Sequence, residues 1–174
     1  MGFDLMAYTF SHALQSNCAR AEVFLSDDAA AHLMFPTLIL TPKKITLTSE
    51  QVKLIEKLSS QTVRENTLKV YKGNSGEVMF VDKVLGKHDF ITYAVGIGPD
   101  QKIKQIEILE YRETYGHEVK RLEWRKQFYG KNKMAPFILT QDIRNISGAT
   151  LSCKHVTDGV RRILQTYELI RAQI

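Results

Sequence analysis

The segment at residues 151–171 constrains the fold more than any other part of this chain. Val156, Val160, Ile163, Leu164, Tyr167 and Ile170 recur at helical spacing and form one apolar stripe. Such a stripe needs an apolar surface of matching length to cover it. The middle of the chain supplies a candidate. Residues 68–71, 77–82, 90–96 and 103–111 are short apolar, β-branched or aromatic runs, and the turn signals Gly73 to Gly76, Gly86-Lys87 and Gly98-Pro99-Asp100 separate them. Short turns join antiparallel neighbours, whereas parallel strands need long crossovers. The expected fold class is therefore α+β: an antiparallel sheet with packed helices and a long C-terminal helix that follows a Ser-Gly-Ala-Thr turn. Two earlier helices are expected. One is capped by Ser26 and ended by Pro36. The other is opened by Ser49 and carries Val52, Ile55 and Leu58 on one face. Residues 116–128 read as a further helix, with Val119, Leu122 and Trp124 to pack, and residues 137–139 read as extended.

The chain has 174 residues, 44% of them hydrophobic, which is enough apolar material for one core. No linker or repeat divides it, so residues 22–174 read as a single domain. Residues 1–21 read either as a degenerate export signal or as an N-terminal extension. Ala19-Arg20-Ala21 resembles a signal-peptidase site, but no positive charge precedes the apolar stretch. A periplasmic or extracytoplasmic location follows from the first reading and a cytoplasmic one from the second. The net charge is +5, yet Lys and Arg are scattered, which argues against nucleic acid and suits an anionic small ligand. The five histidines and two cysteines lack metal-ligand spacing, so no metal is expected, and Cys153 reads as a buried free thiol. No nucleophile elbow, Walker loop or dinucleotide fingerprint is present.

The chemically informative stretch lies just before the long helix: Asn145-Ile146-Ser147-Gly148-Ala149-Thr150-Leu151-Ser152. N–H groups at a helix start are unpaired and the dipole is positive there. Small residues allow an anion to approach, and the Ser and Thr hydroxyls add donors. These residues therefore suit a phosphate. The alternative reading is that Ser147 or Thr150 simply caps the helix.

This string, followed by an amphipathic helix, resembles the FMN-binding domain family. That family includes the C subunit of the sodium-pumping NADH:quinone oxidoreductase and the G subunit of Rnf-type electron-transport complexes. Tyr93-Ala94-Val95-Gly96 and residues 103–111 are similar to the family's strand pair. Glu113-Thr114-Tyr115-Gly116 resembles its Glu-Thr-Pro-Gly segment, and Trp124, Gln127, Phe128 and Gly130-Lys131 match the helix that follows. The resemblance implies FMN as cofactor, with its phosphate held at Thr150 through a phosphoester bond made by a flavin transferase. It implies that Ser147, Gly148, Ala149, Leu151 and Ser152 shape the phosphate turn. Glu113, Thr114, Tyr115 and Gly116 would face the flavin. Tyr93, Tyr115, Trp124 and Phe128 are candidates to line the ring, each with plain core as its alternative. Two positions depart from the family pattern. Arg144 stands where an acid usually precedes the motif serine, and Tyr115 replaces Pro. The first bears on transferase recognition, and Arg144 could instead pair with the phosphate.

These residues point to an electron-transfer protein working with redox proteins or a membrane quinone reductase. No catalytic acid or base is implied. The alternatives are a flavin reductase with exchangeable FMN and a non-catalytic binding module that has lost flavin.

Overall fold

The computed structural model describes residues 22–174, and the 1–21 segment that could carry an export signal lies outside them. Six strands form one antiparallel sheet: β1 (Glu22–Val23), β2 (Thr41–Thr46), β3 (Thr67–Lys72), β4 (Val78–Leu85), β5 (Phe90–Ile97) and β6 (Ile103–Tyr111). Their order across the sheet is β1-β6-β5-β4-β3-β2. The run β3 to β6 is a meander, as the short turns predict, and β2 joins its edge through a connection that contains the helix at Ser49–Ser59. Pro42 lies in β2, an edge strand, where its missing N–H costs no ladder bond.

The helices cover the two faces unequally. Helix α1 (Asp27–Met34) is capped by Ser26 and lays Ala30, Ala31 and Met34 on one face, against Tyr71, Met79, Ala94 and Leu109. Helix α2 (Ser49–Ser59) is closed by a reciprocal Thr48–Gln51 capping box, so the cap is Thr48 and Ser49 is already helical. A four-residue α3 (Leu122–Arg125) follows the sheet. The long helix α4 (Thr150–Ile170) covers the other face, and its stripe packs on Ile91, Tyr93, Val95, Ile97, Ile106 and Ile108. Each fully buried side chain of this size contributes about 1.5–3 kcal/mol, so this layer dominates the stability of the fold.

Two irregularities in the β5–β6 ladder decide which β6 side chains reach α4. Ile97 pairs with Ile103 and Gly96 with Gln105. Tyr93 pairs with Ile108 and Thr92 with Glu110. Each shift adds a residue on β6, so Ile103, Ile106, Ile108 and Tyr111 all point to the α4 face. Strict alternation from Ile106 and Ile108 would have put Glu110 there and turned Tyr111 away.

One expected element is replaced. Residues 116–128 are not a continuous helix. They are two 3₁₀ turns, His117–Lys120 and Lys126–Phe128, flanking the short α3. Arg121 is extended, with ψ 134°, and breaks the run so that Val119, Trp124 and Phe128 can all turn inward. Residues 137–139 are loop, apart from one isolated bridge from Leu139 to Ile143. Cys153 is buried and free, as expected.

Gly159 is where α4 presses hardest on the sheet. A Cβ there would overlap the Tyr93 hydroxyl and come within 2.8 Å of Val84. Alanine normally gains about 1 kcal/mol over glycine inside a helix. Gly159→Ala should instead lower stability, by about 1–3 kcal/mol, because the methyl overpacks this contact. Urea denaturation of the single variant and of Gly159→Ala/Tyr93→Phe checks this: the double variant should recover part of the loss.

Candidate functional site

The Ser147–Thr150 turn lies at the end of β6, where the sheet hands over to the start of α4. Three sets of contacts hold it there. The first is upstream. The Trp124 indole N–H donates to the Arg144 carbonyl at 2.8 Å, and the Arg144 N–H donates to Gln127 Oε1 at 2.7 Å. Asp142 ties the preceding loop: its carboxylate accepts from the Phe137 and Ile138 N–H groups and from Lys131. Burial raises the Asp142 pKa, but these hydrogen bonds and the lysine outweigh it and hold the carboxyl below its ordinary value.

The second set joins β6 to α4. The Tyr111 hydroxyl donates to the Tyr115 carbonyl at 2.5 Å and lies 2.9 Å from Ser152 Oγ. Burial pushes the Tyr111 pKa up, so the phenol stays protonated and able to donate. Gly116 fits between these groups with φ +89°. A Cβ there would lie 2.6 Å from the Tyr111 hydroxyl, 3.0 Å from Ser152 Oγ and 3.3 Å from the Ala149 Cβ. The two segments singled out in the sequence, 113–116 and 147–152, therefore touch.

The third set fixes Glu113. Its carboxylate accepts from the His88 N–H at 2.6 Å and the Asp89 N–H at 3.1 Å. Glu113 is buried, and its Oε1 takes both of these bonds from the β4–β5 turn. Thr114 and Tyr115 are exposed, Tyr115 by 78%. His117 bonds back to the Thr114 carbonyl and its ring lies 5.2 Å from that of Tyr111.

At the turn itself, Ser147, Gly148, Thr150 and Leu151 are exposed, and Ala149 and Ser152 are buried. Neither Ser147 nor Thr150 caps the helix. The N-cap is Ala149, which has no side chain to do so, whereas α1 and α2 both carry side-chain caps. The first-turn N–H groups of a 21-residue helix are thus left to an outside acceptor. Asn145 Nδ2 donates to Thr150 Oγ1 at 3.0 Å, while Asn145 Oδ1 is buried with no hydrogen-bond partner among the described residues. Gly148 has φ +82°, and a Cβ added there would meet nothing within 4 Å. Arg144 is exposed beside this turn, and the nearest acid in the sequence, Asp142, is already committed to its loop.

Three of the four candidates to line the ring are core residues. Tyr93 is fully buried under Gly159, nine residues past Thr150 on α4, and its hydroxyl donates to Asp82 at 3.1 Å. Trp124 and Phe128 are core, packed edge to face at 5.1 Å and joined by Phe137. Trp124 still serves the site by holding the Arg144 carbonyl. Tyr111 and Asn145 contact this turn in ways that sequence reasoning misses. Tyr111 is hidden by the ladder shift, and a lone Asn before a helix carries no signal of its own.

A model of the FMN-binding domain family matches residues 86–165, from the β4–β5 turn to the last third of α4. This segment belongs to the FMN-binding domain family. FMN is its cofactor. Across 144 aligned residues the chain is also 29% identical to the G subunit of the Na(+)-translocating ferredoxin:NAD(+) oxidoreductase complex of Acetobacterium woodii, covering 73% of this chain and 70% of that protein. The residues present fit the group. An uncapped helix start, an open turn, an outward hydroxyl and an unpartnered buried amide oxygen are what a phosphate and its hydroxylated chain would use.

Glu113 supplies a pH test of the scaffold under this site. Burial raises its pKa, but N–H donation from His88, Asp89 and Lys87 more than offsets this, and the net shift is downward from 4.5. A carboxyl depressed in the folded state adds stability above its unfolded value, and that stability is lost as pH falls through the folded value. Glu113→Gln should therefore melt below wild type at neutral pH, with the gap closing under acid conditions. Thermal melts from neutral pH down into the acid range would read this, and a gap that does not change with pH would refute it.

Proposed function

We propose that this chain is an FMN-bearing electron-transfer subunit that works within a multi-subunit redox complex, with the flavin phosphate held at Thr150. The observation that carries this reading is the uncapped start of α4, with an exposed Thr150 hydroxyl steadied by Asn145, inside an FMN-binding domain. When bound, FMN supplies the acceptance and release of electrons. The chain supplies attachment and orientation. The α4 dipole and its free N–H groups favour the phosphate charge. The Tyr111–Ser152 contact keeps the 113–116 loop against the turn. Exposed Leu151 and Tyr115 offer apolar surface beside it for a planar ring. A carrier needs its flavin within reach of partner proteins, and this turn is at the surface. The relative's place in a named complex supports such partners. The extracytoplasmic location expected from residues 1–21 is part of the same proposal, and cell fractionation checks it.

In this proposal a flavin transferase esterifies the phosphate to Thr150: the Thr150 oxygen bonds to the flavin-side phosphorus of a flavin dinucleotide, the phosphoanhydride bond breaks, the nucleoside monophosphate leaves, and the hydroxyl proton is lost. Arg144 favours a second form, in which the phosphate is held as an ion pair and FMN exchanges. The exposed guanidinium sits two residues before Ile146 and the Ser147 turn, and Asp142 is not free to neutralise it.

Co-expression with a flavin transferase, followed by visible spectra and intact mass, tests both. Wild type should carry a flavin adduct that survives denaturation, and Thr150→Val should lose it. Arg144→Asp should raise the adduct fraction. Flavin released from wild type on denaturation would leave FMN binding intact and overturn the ester. A colourless wild-type protein that takes up no added FMN would overturn the whole reading.

A further inference from the structure

The β3–β4 ladder is short. It pairs only Lys69–Lys72 with Val78–Val81, while β4 runs on to Leu85 paired with β5, and β3 begins at Thr67 paired with β2. The sheet therefore splits between Thr67-Leu68 and Asp82-Lys83. Helix α4 does not fill the split. Arg162 bridges it, donating to the Thr62 carbonyl at 2.7 Å and pairing with Asp82. What remains is a cavity of about 290 Å³ whose walls include Leu68, Phe80 and Ile163.

Charge at this cavity is unbalanced. Arg64, Lys69, Lys83 and Arg162 line it, against Glu65 and Asp82. Arg162 is paired with Asp82, Lys83 with Glu65 at 2.6 Å, and Lys69 with Asp27 outside the cavity. Arg64 is exposed, and no acid among the described residues pairs with it. A cavity with apolar side chains among its walls and one uncompensated, exposed guanidinium in its lining matches a molecule with an apolar body and a single anionic head. The planar fork of Arg suits a carboxylate in particular.

We propose that this cavity is a second ligand site, distinct from the flavin turn, for a small amphipathic carboxylate. Its apolar body lies against Leu68, Phe80 and Ile163, and its carboxylate meets Arg64. The site is separate from Thr150 by construction. Arg162 lies twelve residues further along α4, about 18 Å at the helical rise, and the tight Gly159–Tyr93–Val84 packing lies between them. It also stands apart from the FMN reading, because most of its lining precedes residue 86, where the family match begins.

Naphthoate is a suitable probe: a planar apolar body with one carboxylate. Titration calorimetry on the full chain should show saturable binding of one naphthoate per chain. Its neutral analogue, naphthalenemethanol, should bind at least about tenfold more weakly, a difference of about 1.4 kcal/mol. Arg64→Glu alters only an exposed side chain, so it should keep the wild-type melting temperature and flavin spectrum while losing about tenfold in affinity. Leu68→Trp should abolish binding by filling the chamber. Amide shifts should move at residues 63–68 and 80–83. Shifts centred on residues 147–152, equal affinity in wild type and Arg64→Glu, or no saturable binding would each overturn the proposal.

Discussion

Burial of the α4 stripe on one face of the sheet is the interaction on which the rest of the structure depends. It joins the last 21-residue helix to strands from the middle of the chain, so it closes the fold over a long sequence distance. It also fixes the helix along its axis. Gly159 lets the backbone settle on the Tyr93 ring, and a turn of slippage would drive a side chain into it. With the axis fixed there, the first turn of α4 has to emerge at the end of β6. The Ser147–Thr150 turn is therefore placed by packing well away from it, and the local residues only refine that placement.

That refinement is unusually polar for so small a region. Tyr111 is buried among apolar neighbours, yet its hydroxyl faces Ser152 and the Tyr115 carbonyl. A buried phenol without partners would cost about 1–3 kcal/mol, so the loop at 113–116 is drawn against α4 to satisfy it. Gly116 makes the approach sterically feasible. The Trp124 and Gln127 bonds to Arg144 act in the same way on the other side of the turn, at 2.8 and 2.7 Å. Both clamps use backbone groups of loop residues, which explains why an irregular segment of this length can hold a defined shape.

The antiparallel meander from β3 to β6 and the long helix are legible in the sequence because each rests on local periodicity and turn chemistry, whereas the pairing of β1 with β6 rests on a long-range contact that no local signal announces. The contact between 113–116 and 147–152 is legible only through resemblance to a family. Nothing in the spacing of those residues brings them together. The aim of Tyr111 is not legible at all, because two register shifts in the β5–β6 ladder break the alternation from which its face would be read. Residues 116–128 mislead for a related reason. Their apolar spacing fits a helix, but Arg121 in an extended conformation lets the same residues reach the core from two short turns. Trp124 is a natural candidate for the ligand because aromatic residues line flavin sites. Its ring is core and its N–H is a structural donor, a division of one side chain that composition cannot express.

The electrostatics of the turn follow from where its neighbouring charges are spent. Asp142 lies two residues from Arg144, close enough in sequence to suggest a shifted acidic position. Its two oxygens already take three donors from the 131–138 segment, and its carboxyl is held below its ordinary pKa, so it has no spare capacity to offset the guanidinium. Glu113 likewise takes the His88 and Asp89 N–H groups on its Oε1. Both acids are therefore turned inward on backbone donors, and Arg144 and the positive end of α4 are left facing out. An acid at position 144 would have partly cancelled the helix field at the point where a phosphate must approach. An arginine adds to it. The substitution thus favours holding a dianion and, by the same change of sign, removes the negative charge that members of the family usually present before the motif serine.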